Sequence, residues 1–173
     1  ELAASLDRLG AAIGSVQTPE RLHELMLEAR LLRPMKDAAD ASLSAGEESL
    51  TLNPSGSRHR AELAAMHALL ERLGPIVTQV IGMTRAYVDQ YDDELPAEPA
   101  VAAIAEQLRR AGHDVRLAVQ LAEVDPEPEA LTSAIPALTS PLDIRPPSSR
   151  HWVLIGSLTE DLRRIRAGLR DEE

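Results

Sequence analysis

The sequence has no cysteine and no phenylalanine, and it has one tryptophan and two tyrosines among 173 residues. Without cysteine the chain cannot form a disulfide, a thiolate zinc site, an iron–sulfur cluster or a cysteine nucleophile. Without phenylalanine, a core has to be built from leucine, isoleucine, valine and alanine, whose small side chain lets helices approach closely. No segment has the roughly 18 to 20 apolar residues that a membrane-spanning helix needs, and the start of the chain does not have the form of a secretory signal.

The charge of the chain is acidic, with 28 aspartates and glutamates against 18 lysines and arginines and a formal net charge of −10. Affinity for nucleic acid comes largely from cations that displace counterions from phosphates, so we expect no nucleic-acid partner. A chain of this length can bury roughly 70% of the surface that its unfolded form exposes. We therefore predict a single domain over residues 1–173 that needs no structural metal.

Apolar residues recur at steps of three and four in five separate segments, as in amphipathic helices. No segment of useful length alternates with a period of two, so the sequence predicts an all-α antiparallel bundle of about five helices. The five stripes run from Leu2 to Val16, Leu22 to Leu43, Leu63 to Tyr91, Val101 to Ala118 and Trp152 to Leu169.

Proline and glycine mark the boundaries of these helices. Thr18 followed by Pro19 predicts the start of the second helix, and Pro99 predicts the start of the fourth. Pro34 and Pro75 fall inside the second and third helices and predict kinks there. Two loops are expected, one from Gly46 to Ser57 and one over residues 124–147, a stretch that contains half of the twelve prolines.

The first residue is Glu1 rather than methionine, and the first helical stripe is in phase from Leu2. No serine, threonine, aspartate or asparagine precedes Leu2 to cap a helix. We expect that this helix continues from a preceding segment, such as a membrane domain or another soluble domain; a processed terminus is the alternative.

Residues that could carry chemistry are scattered along the chain. Helical bundles bind paired metals through two Glu-x-x-His motifs and two further glutamates, but here Glu20 and His23 form the one copy of that motif. His67 and Glu71 are four residues apart and could share a metal, although an ordinary surface pair explains them equally well. We expect no metal site, no cofactor and no catalytic residues, because no nucleophile motif or glycine-rich phosphate loop is present.

A possible binding site is indicated by Arg58, His59 and Arg60 at the start of the third helix. Arginines there oppose the helix dipole, and such a conflict can mark a site for an anion, an acidic partner or lipid headgroups. Solvated side chains or salt bridges to acidic loops are the alternative. Trp152 could contribute to a pocket for an aromatic ligand, or it could belong to the core.

Several motifs resemble a known family of membrane proteins. Leu50-Thr51-Leu52-Asn53-Pro54, followed by Arg58-His59-Arg60 and a long aliphatic helix, is similar to the cytosolic domain of bacterial fusaric-acid-resistance, or aromatic acid exporter, proteins. The same holds for the Leu31-Leu32-Arg33-Pro34 bend and for the closing run from His151 to Leu158 with Asp161-Leu162-Arg163-Arg164.

The resemblance implies a transmembrane region before this domain and a place on the cytoplasmic face of the bacterial inner membrane. It also implies a regulatory, ligand-sensing or oligomer-organising role in the efflux of aromatic acids or other amphiphiles. The partners would be the protein's own transmembrane region, further copies of the chain and an amphiphilic or aromatic acid. The amphipathic helices alone are equally typical of a stand-alone interaction or oligomerisation module.

Overall fold

The computed structural model describes residues 1–51, 57–122 and 147–170, and within these ranges it contains five α-helices, one 3-10 turn and no β-strand. The prediction of an all-α helical bundle is therefore confirmed. The elements are α1 (Leu2–Ile13), α2 (Pro19–Thr51), α3 (Ser57–Asp89), the 3-10 turn Leu95–Ala97, α4 (Pro99–Leu121) and α5 (Trp152–Arg170).

The predicted helix starts agree with the structure. The backbone N–H of Arg21 donates a hydrogen bond of 3.3 Å to the Thr18 hydroxyl, which caps α2. Pro99 opens α4, where its missing N–H costs nothing. Pro34 and Pro75 both lie inside continuous helices.

The helices pack around one cluster of buried residues to which all five contribute. α1 packs mainly on α4, α2 mainly on α3, and α5 against both α3 and α4. The Tyr87 hydroxyl donates a hydrogen bond of 2.8 Å to the carbonyl oxygen of Ala12, so α1 and α3 finish at the same end of the bundle. α4 and α5 both start at that end, because Ser148, which precedes α5, donates its backbone N–H to Glu98 at the start of α4.

The two longest helices differ in burial along their lengths. In the part of the chain that the structure describes, α2 has no buried residue after Leu32 and α3 has none before Leu73. The outer halves of these helices, residues 33–51 and 57–72, are called here the distal hairpin. They pack mainly on each other, with Leu43, Leu50 and Leu63 half-buried between them.

The predicted loop from Gly46 to Ser57 is wrong at its beginning, because α2 continues to Thr51. Gly46 lies inside the helix, where a Cβ atom would be 3.2 Å from Leu63 Cδ2. The glycine therefore serves close contact between α2 and α3 rather than a turn. The rest of that loop before Ser57, and the predicted loop over 124–147 apart from Pro147, lie outside the described residues.

The apolar stripe from Trp152 to Leu169 places Trp152 on the buried face of α5, but this residue is 60% exposed, so the alternative that it belongs to the core is wrong. Trp152, Ile155 and Leu158 follow one another in two steps of three. Because a helix turns by about 100° per residue, two such steps rotate the stripe by about 120°, which moves Trp152 off the core face. The buried residues of α5 are Leu154, Ile155, Leu158, Leu162 and Ile165.

Candidate functional site

The predicted site residues lie at opposite ends of α3. Arg58, His59 and Arg60 are in the first turns of this 33-residue helix, which is about 50 Å long. Trp152 begins α5 beside the other end of α3, where its neighbour His151 contacts Asp92. Within one chain, the structure therefore does not bring Trp152 together with the segment that carries the arginines.

A shallow apolar cavity of about 340 Å³ lies at the tip of the distal hairpin. Arg60 lines this cavity, whereas His59 is exposed and its Nδ1 lies 3.9 Å from Glu62 Oε2. A guanidinium beside an apolar hollow could hold an amphiphilic acid, although a carboxylate also lines the same hollow. The residues around the cavity are Glu47, Leu50, Thr51, Arg60, Leu63 and Ala64.

The most closely connected group of polar side chains surrounds His151, which is 5% exposed. Its Nδ1 lies 2.7 Å from Glu98 Oε1, and its Nε2 lies 2.9 Å from Asp92 Oδ2. The Ser148 hydroxyl donates to Glu98. Arg150 adds ion pairs of 2.9 Å to Asp92 and 2.7 Å to Glu94. These residues, here called the His151 clasp, join the start of α5 to the segment between α3 and α4.

The clasp favours a doubly protonated imidazole. Hydrogen bonds to Glu98 and then to Asp92 raise the pKa of His151 above its ordinary value. The hydrogen bond from His151 lowers the pKa of Asp92, and hydrogen bonds from Ser148 and then His151 lower the pKa of Glu98. Both ring nitrogens of an imidazolium donate, which matches the two carboxylate acceptors.

Ser148, His151 and Asp92 resemble in part the residue set of a serine hydrolase. The Ser148 Oγ atom lies 3.3 Å from His151 Nδ1. A general base, however, needs a free lone pair on the ring nitrogen that faces the nucleophile. Glu98 contacts that nitrogen at the shorter distance of 2.7 Å and also accepts the hydrogen bond of the Ser148 hydroxyl. This arrangement fixes α5 in place and does not activate Ser148.

Sequence reasoning did not find the clasp. His151 is one of five histidines in the sequence, and Glu98 precedes it by 53 residues. The signal that the sequence offers is the acidic run Asp92-Asp93-Glu94, which indicates a charged connection after the third helix but does not indicate what it contacts. Pairing across such a separation depends on how α3, α4 and α5 pack.

A second feature missed by sequence reasoning is an apolar stripe on the outer face of α2. Leu27 and Leu31 are 47% and 57% exposed, and Met35 beside them is 48% exposed. The stripe continues with exposed residues at alternating steps of four and three, which is the heptad spacing of helices that pack in coiled coils. We call this set the outer stripe: Leu27, Leu31, Pro34, Ala38, Ala41 and Ala45.

The remaining candidate residues have ordinary surroundings. His23 is exposed on α2. The Nδ1 atom of His67 lies 3.2 Å from Glu47 Oε1, and its Nε2 atom lies 3.8 Å from Glu71 Oε1. In residues 1–51, 57–122 and 147–170 no group of three histidine, aspartate or glutamate side chains has the arrangement of a metal site.

Comparison with known proteins found no matching family model, curated protein or solved structure. Across the described parts of the chain, none of the helices has both the length and the hydropathy of a membrane span.

Proposed function

We propose that this chain is an oligomer-organising helical domain and that two copies associate through the outer stripe of α2. The observation that carries the proposal is the exposure of a heptad-spaced apolar stripe on a helix that is already packed on its other side. The stripe extends over 19 residues, from Leu27 to Ala45, or about 27 Å of helix. Apolar side chains in heptad spacing bury the most apolar surface when they pack between the side chains of the same pattern on another helix.

A second copy of the chain is the partner that fits this stripe best. Small alanines at the distal end allow two helix backbones to approach closely, while Leu27 and Leu31 supply apolar area at the other end. An isologous pair buries the same surface on both copies, which is the commonest symmetry of oligomers. The net charge of −10 disfavours an anionic membrane surface as the occupant.

The wider setting of the proposal is an exporter-like membrane protein with this domain on the cytoplasmic face of the membrane. It is supported by the motifs around Leu50, Arg58 and His151 that resemble the fusaric-acid-resistance family. Copies anchored in one membrane point the same way, so their α2 helices would pair in parallel. A regulatory or ligand-sensing part in the efflux of aromatic acids would then act through this pairing. A stand-alone oligomerisation module is the alternative.

Sedimentation equilibrium tests the association. We expect the wild-type chain to form dimers in a concentration-dependent manner. Replacing Leu27→Glu and Leu31→Glu together should weaken dimerisation by at least about tenfold, because two charges from each copy would be buried at the contact. Val119→Glu is the matched control, since Val119 is an exposed aliphatic residue on α4. A monomer at all concentrations, or equal effects of the two changes, would remove the proposal.

The membrane setting has a separate test. The reading frame upstream of Glu1 should encode several hydrophobic spans. If it encodes none while the chain still dimerises through α2, the stand-alone module is correct and the exporter setting is wrong.

A further inference from the structure

The His151 clasp connects three segments of the bundle through one buried side chain. Asp92 follows α3, Glu98 precedes α4, and His151 precedes α5. The other groups of the clasp are Glu94 and Arg150, which pair with each other, and Ser148, which binds Glu98. The cation Arg150 contacts Asp92, not the imidazole, so the histidine faces two carboxylates directly.

Both contacts of the ring require a proton. A neutral imidazole has one N–H donor and one lone pair. With carboxylate oxygens at 2.7 and 2.9 Å, loss of either proton puts a lone pair against a negatively charged acceptor. One of the two hydrogen bonds then becomes a repulsive contact around a ring that is only 5% exposed, and the ring has to move.

We propose that the His151 clasp is a pH-operated lock on the start of α5, closed while the imidazole carries both protons and loosened when it loses one. The loosening is local, because Arg150 still binds Asp92 and Ser148 still binds Glu98. It extends to the first turn of α5, since the N–H of Ile155 donates to the carbonyl oxygen of His151 at 2.9 Å. The exposed residues Trp152 and Val153 lie within that turn.

The sign of the pH dependence follows from the pKa shift. The two carboxylates raise the pKa of His151 above 6.5. A group with a raised folded-state pKa stabilises the closed form fully below its unfolded value, and this contribution is lost as pH rises through the folded value. The lock therefore loosens on the alkaline side, and each unit by which the pKa is raised changes the opening equilibrium about tenfold.

Nuclear magnetic resonance can follow the lock directly, because Trp152 is the single tryptophan and adjoins His151. We expect the ring protons of His151 to titrate with a midpoint above 6.5. The indole N–H signal of Trp152 should shift with the same midpoint. Exchange of the Ile155 amide, corrected for its intrinsic pH dependence, should rise about tenfold for each unit of that shift.

Two variants sharpen the test. In His151→Gln the Trp152 signal should not change over the pH range of the wild-type transition, and Ile155 should exchange at the open rate throughout. The control His23→Gln changes an exposed histidine on α2 and should leave both readouts as in the wild type. If His151→Gln fails to fold, the wild-type titration still decides. A His151 titration midpoint at or below pH 6.5 would overturn the lock. So would Trp152 and Ile155 signals that do not change with the His151 titration.

Discussion

At the scale of single residues, the contact between α1 and α4 depends on two glycines. A Cβ atom on Gly10 would lie 2.9 Å from the carbonyl oxygen of Ala105 and 3.2 Å from Leu108 Cβ. On Gly112 it would lie 2.8 Å from an Asp7 carboxylate oxygen. Backbone atoms cannot move away without separating the helices, so glycine is required at Gly10 for packing rather than for a turn.

We predict that Gly10→Ala lowers the free energy of unfolding by about 1–3 kcal/mol, because the added methyl group overpacks the α1–α4 contact. Gly82→Ala is the control within α3, where a Cβ atom meets nothing within 4 Å. That change should raise stability by about 0.5–1 kcal/mol through helix propensity alone. Urea denaturation of both variants checks the prediction. A Gly10→Ala protein that is more stable than the wild type would show that α1 and α4 do not pack as closely at Gly10 as described.

The individual residues that could be predicted from the sequence are those whose spacing fits one helical face. On α4, the apolar residues that recur at steps of three and four are all buried: Val101, Ile104, Ala105, Leu108, Ala111, Val115 and Ala118. Trp152 is hydrophobic and begins the α5 stripe, but it lies about 120° around the helix from Leu158 and therefore outside the core face. His151 and Glu98 could not be paired, because hydrogen bonds between distant segments leave no periodic signal in a single sequence.

At the scale of elements, α2 has two apolar faces, and the sequence does not show which of them is covered. Leu25, Ala29 and Leu32 face the bundle, whereas Leu27 and Leu31 face outward. Both sets recur at helical spacing, so periodicity predicted the helix but not the outer stripe. The end of α2 is also not visible in the sequence. A glycine at position 46 is typical of a helix end, but Gly46 lies inside α2, where it allows close contact with Leu63.

We predict that the distal hairpin opens more readily than the rest of the bundle. Amide hydrogens of residues 36–50 and 60–70 should exchange faster than those of residues 76–87, because few of their neighbours are buried. Hydrogen exchange with mass spectrometry measures this at a protein concentration below that of dimerisation. Equal protection along the whole of α3 would contradict the described burial pattern.

At the scale of the whole molecule, the clasp also predicts how stability changes in acid. Asp92 and Glu98 have ordinary pKa values of 3.8 and 4.5, and both are lowered by their hydrogen bonds. A lowered folded-state pKa stabilises the fold above the unfolded value and loses this effect as pH falls through the folded value. With the contribution of His151 included, the clasp stabilises the fold fully between pH 4.5 and pH 6.5.

Melting temperature measured against pH tests this window. In Glu98→Gln the melting temperature should fall less steeply below pH 4.5 than in the wild type, because glutamine has no charge to lose. The matched control Glu24→Gln, on an exposed face of α2, should keep the wild-type slope. If Glu98→Gln melts with the same acid dependence as the wild type, the clasp does not contribute to stability in the way described.

The absence of cysteine permits a direct test of the central claim, that two copies meet in parallel along the outer stripe of α2. Single cysteines at Leu31→Cys and Ala38→Cys would each face their counterpart in a parallel pair, so mild oxidation should give covalent dimers from both variants. Val119→Cys, on α4, should give little covalent dimer under the same conditions, because this position lies outside the outer stripe. Rapid cross-linking at both α2 positions and little at Val119 is the predicted result; equal yields at all three positions, or none on α2, would contradict it.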